Sequence, residues 1–335
     1  MQRTIQFTHE WPVFTFIALC FAITWSVWFS APLIAGNDWA FVKIIVAAGF
    51  GPALAAIILA QLQGTGCKLW TLKWWGHFGM VFSVMVGIYI SILCTGDGIT
   101  LAQYEQAAAI GFTVKSVAAV MVSSAVAGFI VACLACSADK RLNSLFAMPK
   151  QKRWLLIAVF LPAAWMLLGC LTAYITDSPI QYLPTDWSNP SHHLFLIRSV
   201  VFTFVVVAIG EESGWRAWLL PELQKRFSPL VSSFYLGLIW GGWHFPLFVI
   251  GQYDESPVAT FAKMGACVIL ATMFTYLFNR TNQSLLVAVL FHTALNNTAR
   301  FMPFTEQSGI YMLAVLISMI YFGKMWRNEK ALQQL

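Results

Sequence analysis

Charge is what this sequence has least of. Its 335 residues include 20 Lys and Arg and 14 Asp and Glu, only 10% of the chain, where a soluble domain carries about 25%. With 59% hydrophobic residues and a mean hydropathy of +0.71, a water-soluble globule would expose apolar surface it had too few charges to cover. The same figures exclude a disordered chain, a disulfide scaffold and a collagen-like fibre. The seven cysteines are scattered, mostly through apolar runs. Cys133 and Cys136 form a C-x-x-C with no second pair to complete a site, and read as small packing residues. The sequence carries no nucleic-acid motif, internal repeat or low-complexity tract. The first apolar stretch is followed by further spans and lacks a small-residue cleavage site, so it reads as a span rather than a signal peptide. What remains is an all-α, polytopic transmembrane bundle of about 8–10 spans.

Ten stretches of about 20 mostly apolar residues fit this class: 12–34, 40–62, 79–101, 117–136, 154–175, 194–215, 229–250, 259–279, 284–303 and 309–325. Trp11, Trp39, Trp74, Trp75, Trp154, Trp187 and Trp326 fall near their ends, as an aromatic belt would. With the N-terminus inside, 15 of the 20 cations fall on inner segments, Arg216 among them. Lys43, Lys115, Arg198, Lys263 and Arg300 are the exceptions. That asymmetry places both termini in the cytoplasm, and the net charge of +6 then meets anionic headgroups. The organisation expected is N-terminal helices over 1–190, a catalytic core over 191–305, and a last helix with a cytoplasmic tail over 306–335. A bacterial inner membrane suits such a chain.

Nearly all carboxylates lie at loops or span ends, among them Asp97 and Glu105. The exceptions are Glu211 and Glu212, adjacent to one another after the apolar run 200–209. Two neighbouring carboxylates in low dielectric need compensation. Arg216, one turn after Glu212, can hold it as an anion and leave Glu211 pointing elsewhere. His244 and His292 also lie inside apolar runs, where each needs a partner, and Asn296 shares the face of His292 one turn on. Around the basic turn at 225–229, Glu211 and His244 are nearly equidistant from Phe227, each about 25 Å along its helix. Antiparallel packing would set them at equal depth unless Pro221 kinks the first helix. Glu211 with His244 could then activate a water, directly or through a divalent metal. His292 and Asn296 could polarise a scissile carbonyl, with Trp240, Gly241, Gly242 and Trp243 as an apolar wall and a close helix contact. No Ser-His-Asp set, G-x-S-x-G or H-E-x-x-H is present.

Glu211-Glu212-Ser-Gly-Trp-Arg216 resembles the E-E-x-x-x-R motif of the CPBP intramembrane proteases, also called the CAAX prenyl protease 2, bacteriocin-processing or Abi family. Trp240-x-x-x-His244 is similar to their F-x-x-x-H motif, with Trp in place of the usual Phe. His292-x-x-x-Asn296 is similar to their H-x-x-x-N, and Gly51-Pro52-Ala53-Leu54-Ala55-Ala56 to a recurrent stretch. The resemblance implies an endopeptidase acting on a membrane-embedded or lipidated peptide, of prenylated CAAX or bacteriocin-like type. Glu211 would activate water with His244, His292 and Asn296 would form the oxyanion site, and Glu212, Arg216 and Trp240 would support them. Members are described both as metalloproteases and as metal-independent glutamate proteases. Zinc on Glu211, His244 and His292 therefore stays open, although the spacing is no standard zinc signature. Two other readings also stand: a non-catalytic immunity or regulatory protein whose polar groups lock helices together, and a proton-coupled transporter.

Overall fold

The computed structural model describes residues 2–36, 45, 49–95, 110–180, 188–254 and 256–328. Residues 40–44 and 46–48 of the expected 40–62 span, with Lys43 among them, lie outside the described residues, as do Trp39, Asp97, Glu105 and Trp187. The described chain is helical: α1 (Gln2–Glu10), α2 (Pro12–Ala35), α3 (Gly51–Leu62), α4 (Leu72–Thr95), α5 (Val114–Ala135), α6 (Arg153–Ile175), α7 (190–224), α8 (Pro229–Trp243), α9 (Pro257–Arg280), α10 (Leu285–Phe301) and α11 (Glu306–Gly323). Extended pairing among the described residues is limited to an isolated antiparallel bridge between Cys67 and Ser137.

Seven of these helices, α2, α4, α5, α6, α7, α9 and α11, are long and apolar enough to cross a membrane. Two of the ten expected stretches give shorter helices among the described residues, for a physical reason. Helix α8 has 15 residues and α10 has 17, roughly 22–26 Å at the α-helical rise, short of a hydrocarbon core of about 30 Å. The expected 229–250 span is cut at His244, because Pro246 has no N–H to continue the ladder. A separate turn, Phe245–Val249, follows.

Serine caps set the short connections into the core. Ser228 Oγ accepts from Val231 N, Ser256 Oγ from Ala259 N and Ser284 Oγ from Val287 N, satisfying N–H groups the first turn leaves open. Pro229 and Pro257 follow two of them at the first helical position, where a missing N–H costs nothing.

Glycine lets the core helices touch at three places. A Cβ on Gly237 would lie 2.4 Å from Val268 Cα, and one on Gly241 would lie 2.9 Å from Met264 Cα. The G-x-x-x-G of α8 is thus the seam on which α9 lies. A Cβ on Gly51 would fall on the Thr24 hydroxyl of α2, and one on Gly214 would fall on Pro52. The Gly51-Pro52 stretch therefore backs directly onto the helix carrying the two glutamates.

The turns expected on one side of the membrane do meet at one end of the bundle. Leu230 N donates to Met325 O, Ser144 Oγ to Gln283 O and Ala138 N to Gly66 O. Arg141 and Glu222 approach to 3.8 Å there. Arg216, counted by sequence among the loop cations of that side, is instead fully buried in the bundle.

Candidate active site

The site begins with the geometry of α7. Its segment Ile209–Gly214 is α-helical, but Thr203–Ala208 before it and Trp215–Leu219 after it are wound as wider π turns. Such turns add a residue per turn and shift the face a side chain occupies. The second one also accommodates Pro221: Leu220 N reaches back five residues to Trp215 O, and α7 continues to Gln224.

Glu212 is completely buried and held from two sides. Arg216 Nη1 donates to Oε1 at 3.0 Å, and His292 Nδ1 lies 2.6 Å from the same oxygen. The guanidinium carbon sits 4.5 Å from the ring centre of Trp240 and 4.0 Å from that of Phe274. Arg216 Nε and Nη2 have no hydrogen-bond acceptor among the described residues, so the two aromatic faces receive the part of the cation that Glu212 does not. The expectation that Arg216 would hold Glu212 is met. His292, expected beside Glu211 as an oxyanion donor or metal ligand, spends its Nδ1 on Glu212, and only Nε2 is left to act.

Glu211 faces another way. Its Oε2 accepts a hydrogen bond of 2.6 Å from Trp240 Nε1, and its Oε1 takes none from a described residue. His244 is oriented by the same tryptophan, since its Nδ1 lies 2.8 Å from Trp240 O. A carbonyl only accepts, so the proton is on Nδ1 and the lone pair on Nε2. Trp240 thus does more than form a wall. Its N–H fixes Glu211, its carbonyl fixes His244, its ring face lies on Arg216, and its ring centre is 6.1 Å from that of His292. The Phe usual at this position in the resembled motif has no N–H to give.

Asn296 lies one turn beyond His292, half-buried, with its amide unengaged by the described residues. Its neighbour Asn297 is the committed one: Ser199 Oγ donates to Asn297 Oδ1 at 2.6 Å, and Asn297 Nδ2 donates to Thr293 O at 2.8 Å.

Sequence reasoning missed Lys263 and Tyr253. Lys263 passed for a stray cation near a span end, yet its Nζ stands 5.2 Å from the Tyr253 ring centre, and Tyr253 stacks on His244 at 6.2 Å and 27°. A lysine inside an apolar span, in a chain whose other spans carry two glutamates, was the available signal. Cys67 also packs against Cys133 of the C-x-x-C, a neighbour the sequence did not offer, and all seven cysteines are free.

Glu211, His244 and His292 do not close on one point. Among the described residues no three His, Cys, Asp or Glu side chains are grouped to hold a metal ion. Glu211 Oε1 and the Nε2 atoms of His244 and His292 are each left uncommitted, so it is the spacing of these side chains, and not their donor chemistry, that departs from the zinc triad left open by the motifs.

The fold and this site define a polytopic helical membrane protein with a buried Glu–His cluster on three core helices. Residues 193–298 match the family model described as type II CAAX prenyl endopeptidase Rce1-like, which spans all three motifs. The chain is also 25% identical over 138 residues to a CAAX prenyl protease 2 of Methanococcus maripaludis, an alignment covering 38% of this chain and 51% of the relative. The chain thus spans about half the length of the curated relative it matches. Both comparisons bear out the resemblance to the CPBP proteases drawn from the motifs.

Proposed function

We propose that this chain is an intramembrane endopeptidase that hydrolyses a peptide bond of a membrane-associated, lipidated substrate, with 191–305 as its catalytic core. The observation that carries the reading is the way one residue, Trp240, fixes both Glu211 and His244. It leaves one carboxylate oxygen and one imidazole lone pair uncommitted in a buried setting, the pair needed to bind and deprotonate a water. In this mechanism water held by Glu211 Oε1 and His244 Nε2 gives a proton to Glu211 as its oxygen attacks the scissile carbonyl. Protonated His292, held by the Glu212 carboxylate, donates Nε2–H to the developing oxyanion, and the Asn296 amide supplies a second donor. Glu211 then passes its proton to the departing amine, and the carboxylate is restored. Glu212 and Arg216 act through His292 and not on the substrate.

The substrate class follows from the relative's name: a peptide carrying a prenylated cysteine of the CAAX type. A farnesylated-cysteine peptide is therefore the first probe. Glu211→Gln and His244→Ala should each abolish its cleavage while the detergent-extracted protein keeps its melting profile. Unchanged cleavage in both variants would end the catalytic assignment, and collapse of folding in both would favour polar groups that merely lock helices. Membrane proteomics comparing wild type with Glu211→Gln then identifies the natural substrate by the peptides that disappear. Since the donor set does not gather around a metal, cleavage should survive exhaustive chelation, with metal analysis of the purified protein as the accompanying measurement.

A further inference from the structure

Lys263 stands six residues into α9, and its depth is set by the α8–α9 seam. Met264, the next residue, backs onto Gly241, which places Lys263 level with the stretch from Trp240 to His244. Its ammonium is carried over the ring of Tyr253 at 5.2 Å. The backbone that carries the ring is held: Tyr253 N and Gln252 N both donate to Leu247 O, at 3.0 and 2.8 Å, winding the chain tightly after the Phe245–Val249 turn. The other neighbours of Tyr253 are His244 and Phe248, at 6.2 and 5.2 Å between ring centres. No carboxylate of a described residue comes within ion-pair distance of Lys263. A lysine placed this deep among apolar helices is costly unless something uses its charge. The ammonium spends part of its donor capacity on Tyr253, and its remaining N–H groups, level with His244, suit an anion brought in by the substrate.

The geometry points to Lys263 and Tyr253 as a subsite for a single carboxylate of the peptide substrate, next to the scissile bond. This rests on the peptidase reading above. A carboxylate fits better than a phosphate, because one ammonium balances one negative charge and a dianion would be repelled by Glu211. The carboxylate can come from the peptide's free C-terminus or from an acidic side chain, and the test separates the two.

Three farnesylated-cysteine peptides of equal length serve as probes: a free acid without acidic side chains, its C-terminal amide, and the amide with one Glu beyond the cysteine. Wild-type protein should show a KM about tenfold lower for a carboxylate-bearing peptide than for the neutral amide, with kcat little changed; which peptide is favoured identifies the source. Lys263→Met should erase that preference and Lys263→Arg should keep it. The same peptides bound to Glu211→Gln, read by fluorescence anisotropy, report the subsite without cleavage. The proposal is overturned if wild type shows no preference in either measurement. It is equally overturned if Lys263→Met lowers kcat alike on all three peptides, since Lys263 would then serve Glu211 and His244. Absence of cleavage of all three peptides by wild type would instead sink the peptidase reading, while leaving the anisotropy comparison to decide the subsite.

Discussion

Trp240 holds Glu211 and Arg216 holds Glu212, and substitution should separate the two roles. Trp240→Phe keeps most of the ring and its packing on Arg216 and removes only the N–H that reaches Glu211 at 2.6 Å. A hydrogen bond to a charged group is worth about 1.5–3 kcal/mol, and each 1.36 kcal/mol of barrier is tenfold in rate. Cleavage of the farnesylated peptide should therefore fall in kcat by about tenfold or more, with KM and thermal stability near wild type; an unchanged kcat would show that Glu211 needs no such support. Arg216→Met does the reverse. It strands Glu212, which is 0% exposed, without its cation, and breaking a buried pair costs about 3–5 kcal/mol. The expected result is a large drop in melting temperature in detergent, measured by tryptophan fluorescence or calorimetry.

At the scale of helices, the α8–α9 seam is where sequence and packing can be tested against each other. Gly241 and Gly242 read from sequence as small residues for close approach, yet of these only Gly241, together with Gly237 one turn earlier, has α9 backbone against it. A Cβ on Gly242 meets nothing within 4 Å. Gly237→Ala should destabilise by about 1–3 kcal/mol, the usual cost of overpacking. Gly242→Ala should be neutral or stabilising by up to about 1 kcal/mol, because alanine is the better helix former. Equal melting temperatures for the two variants would contradict this packing. The junction between α5 and α6 makes a pH prediction. Asp139 caps the short helix Lys140–Asn143, accepting from Arg141 N at 2.8 Å, Nε at 3.2 Å and Nη2 at 2.9 Å. Burial works to raise its pKa, but the Arg141 guanidinium and the amides of Arg141 and Leu142 outweigh it and hold the carboxyl below its ordinary range. A depressed carboxylate stabilises the fold above the ordinary value of about 3.9 and loses that contribution as pH falls through the folded pKa. Melting temperature should thus drop on acidification below about pH 4 in wild type, and Asp139→Asn should flatten that slope.

For the molecule as a whole, composition and periodicity go far because lipid imposes simple rules. Apolar length reveals a span, a carboxylate inside one demands a partner, and order along the chain brings Glu211, His244 and His292 to one level. What stays hidden depends on direction rather than position. The identity of residue 240 does not show that its indole turns toward Glu211. The identity of Lys263 does not show that Met264 packs on Gly241 and turns the lysine inward. Span count suffers likewise, since an apolar run does not reveal that a proline at 246 ends its helix. Cation asymmetry is the remaining whole-molecule signal, and the fold gives it a definite shape. Lys68, Lys140, Arg141, Lys225, Arg226, Arg280 and Lys324 all lie on turns or helix ends at the end where 63–71, 136–152, 225–228 and 281–284 meet, whereas Arg198, Lys263 and Arg300 lie toward the other. Counting Arg216 with the first group overstated the bias by one, because it is neutralised inside the bundle by Glu212. The asymmetry survives that subtraction, so the basic end should face the cytoplasm. Epitope tags inserted after Gln151 and after Ser178 test it in intact cells and in opened membranes. The tag after Ser178 should bind antibody in both, and the tag after Gln151 only once the membrane is opened. The opposite pattern would put the basic end outside and require that the charge bias serve some purpose other than orientation.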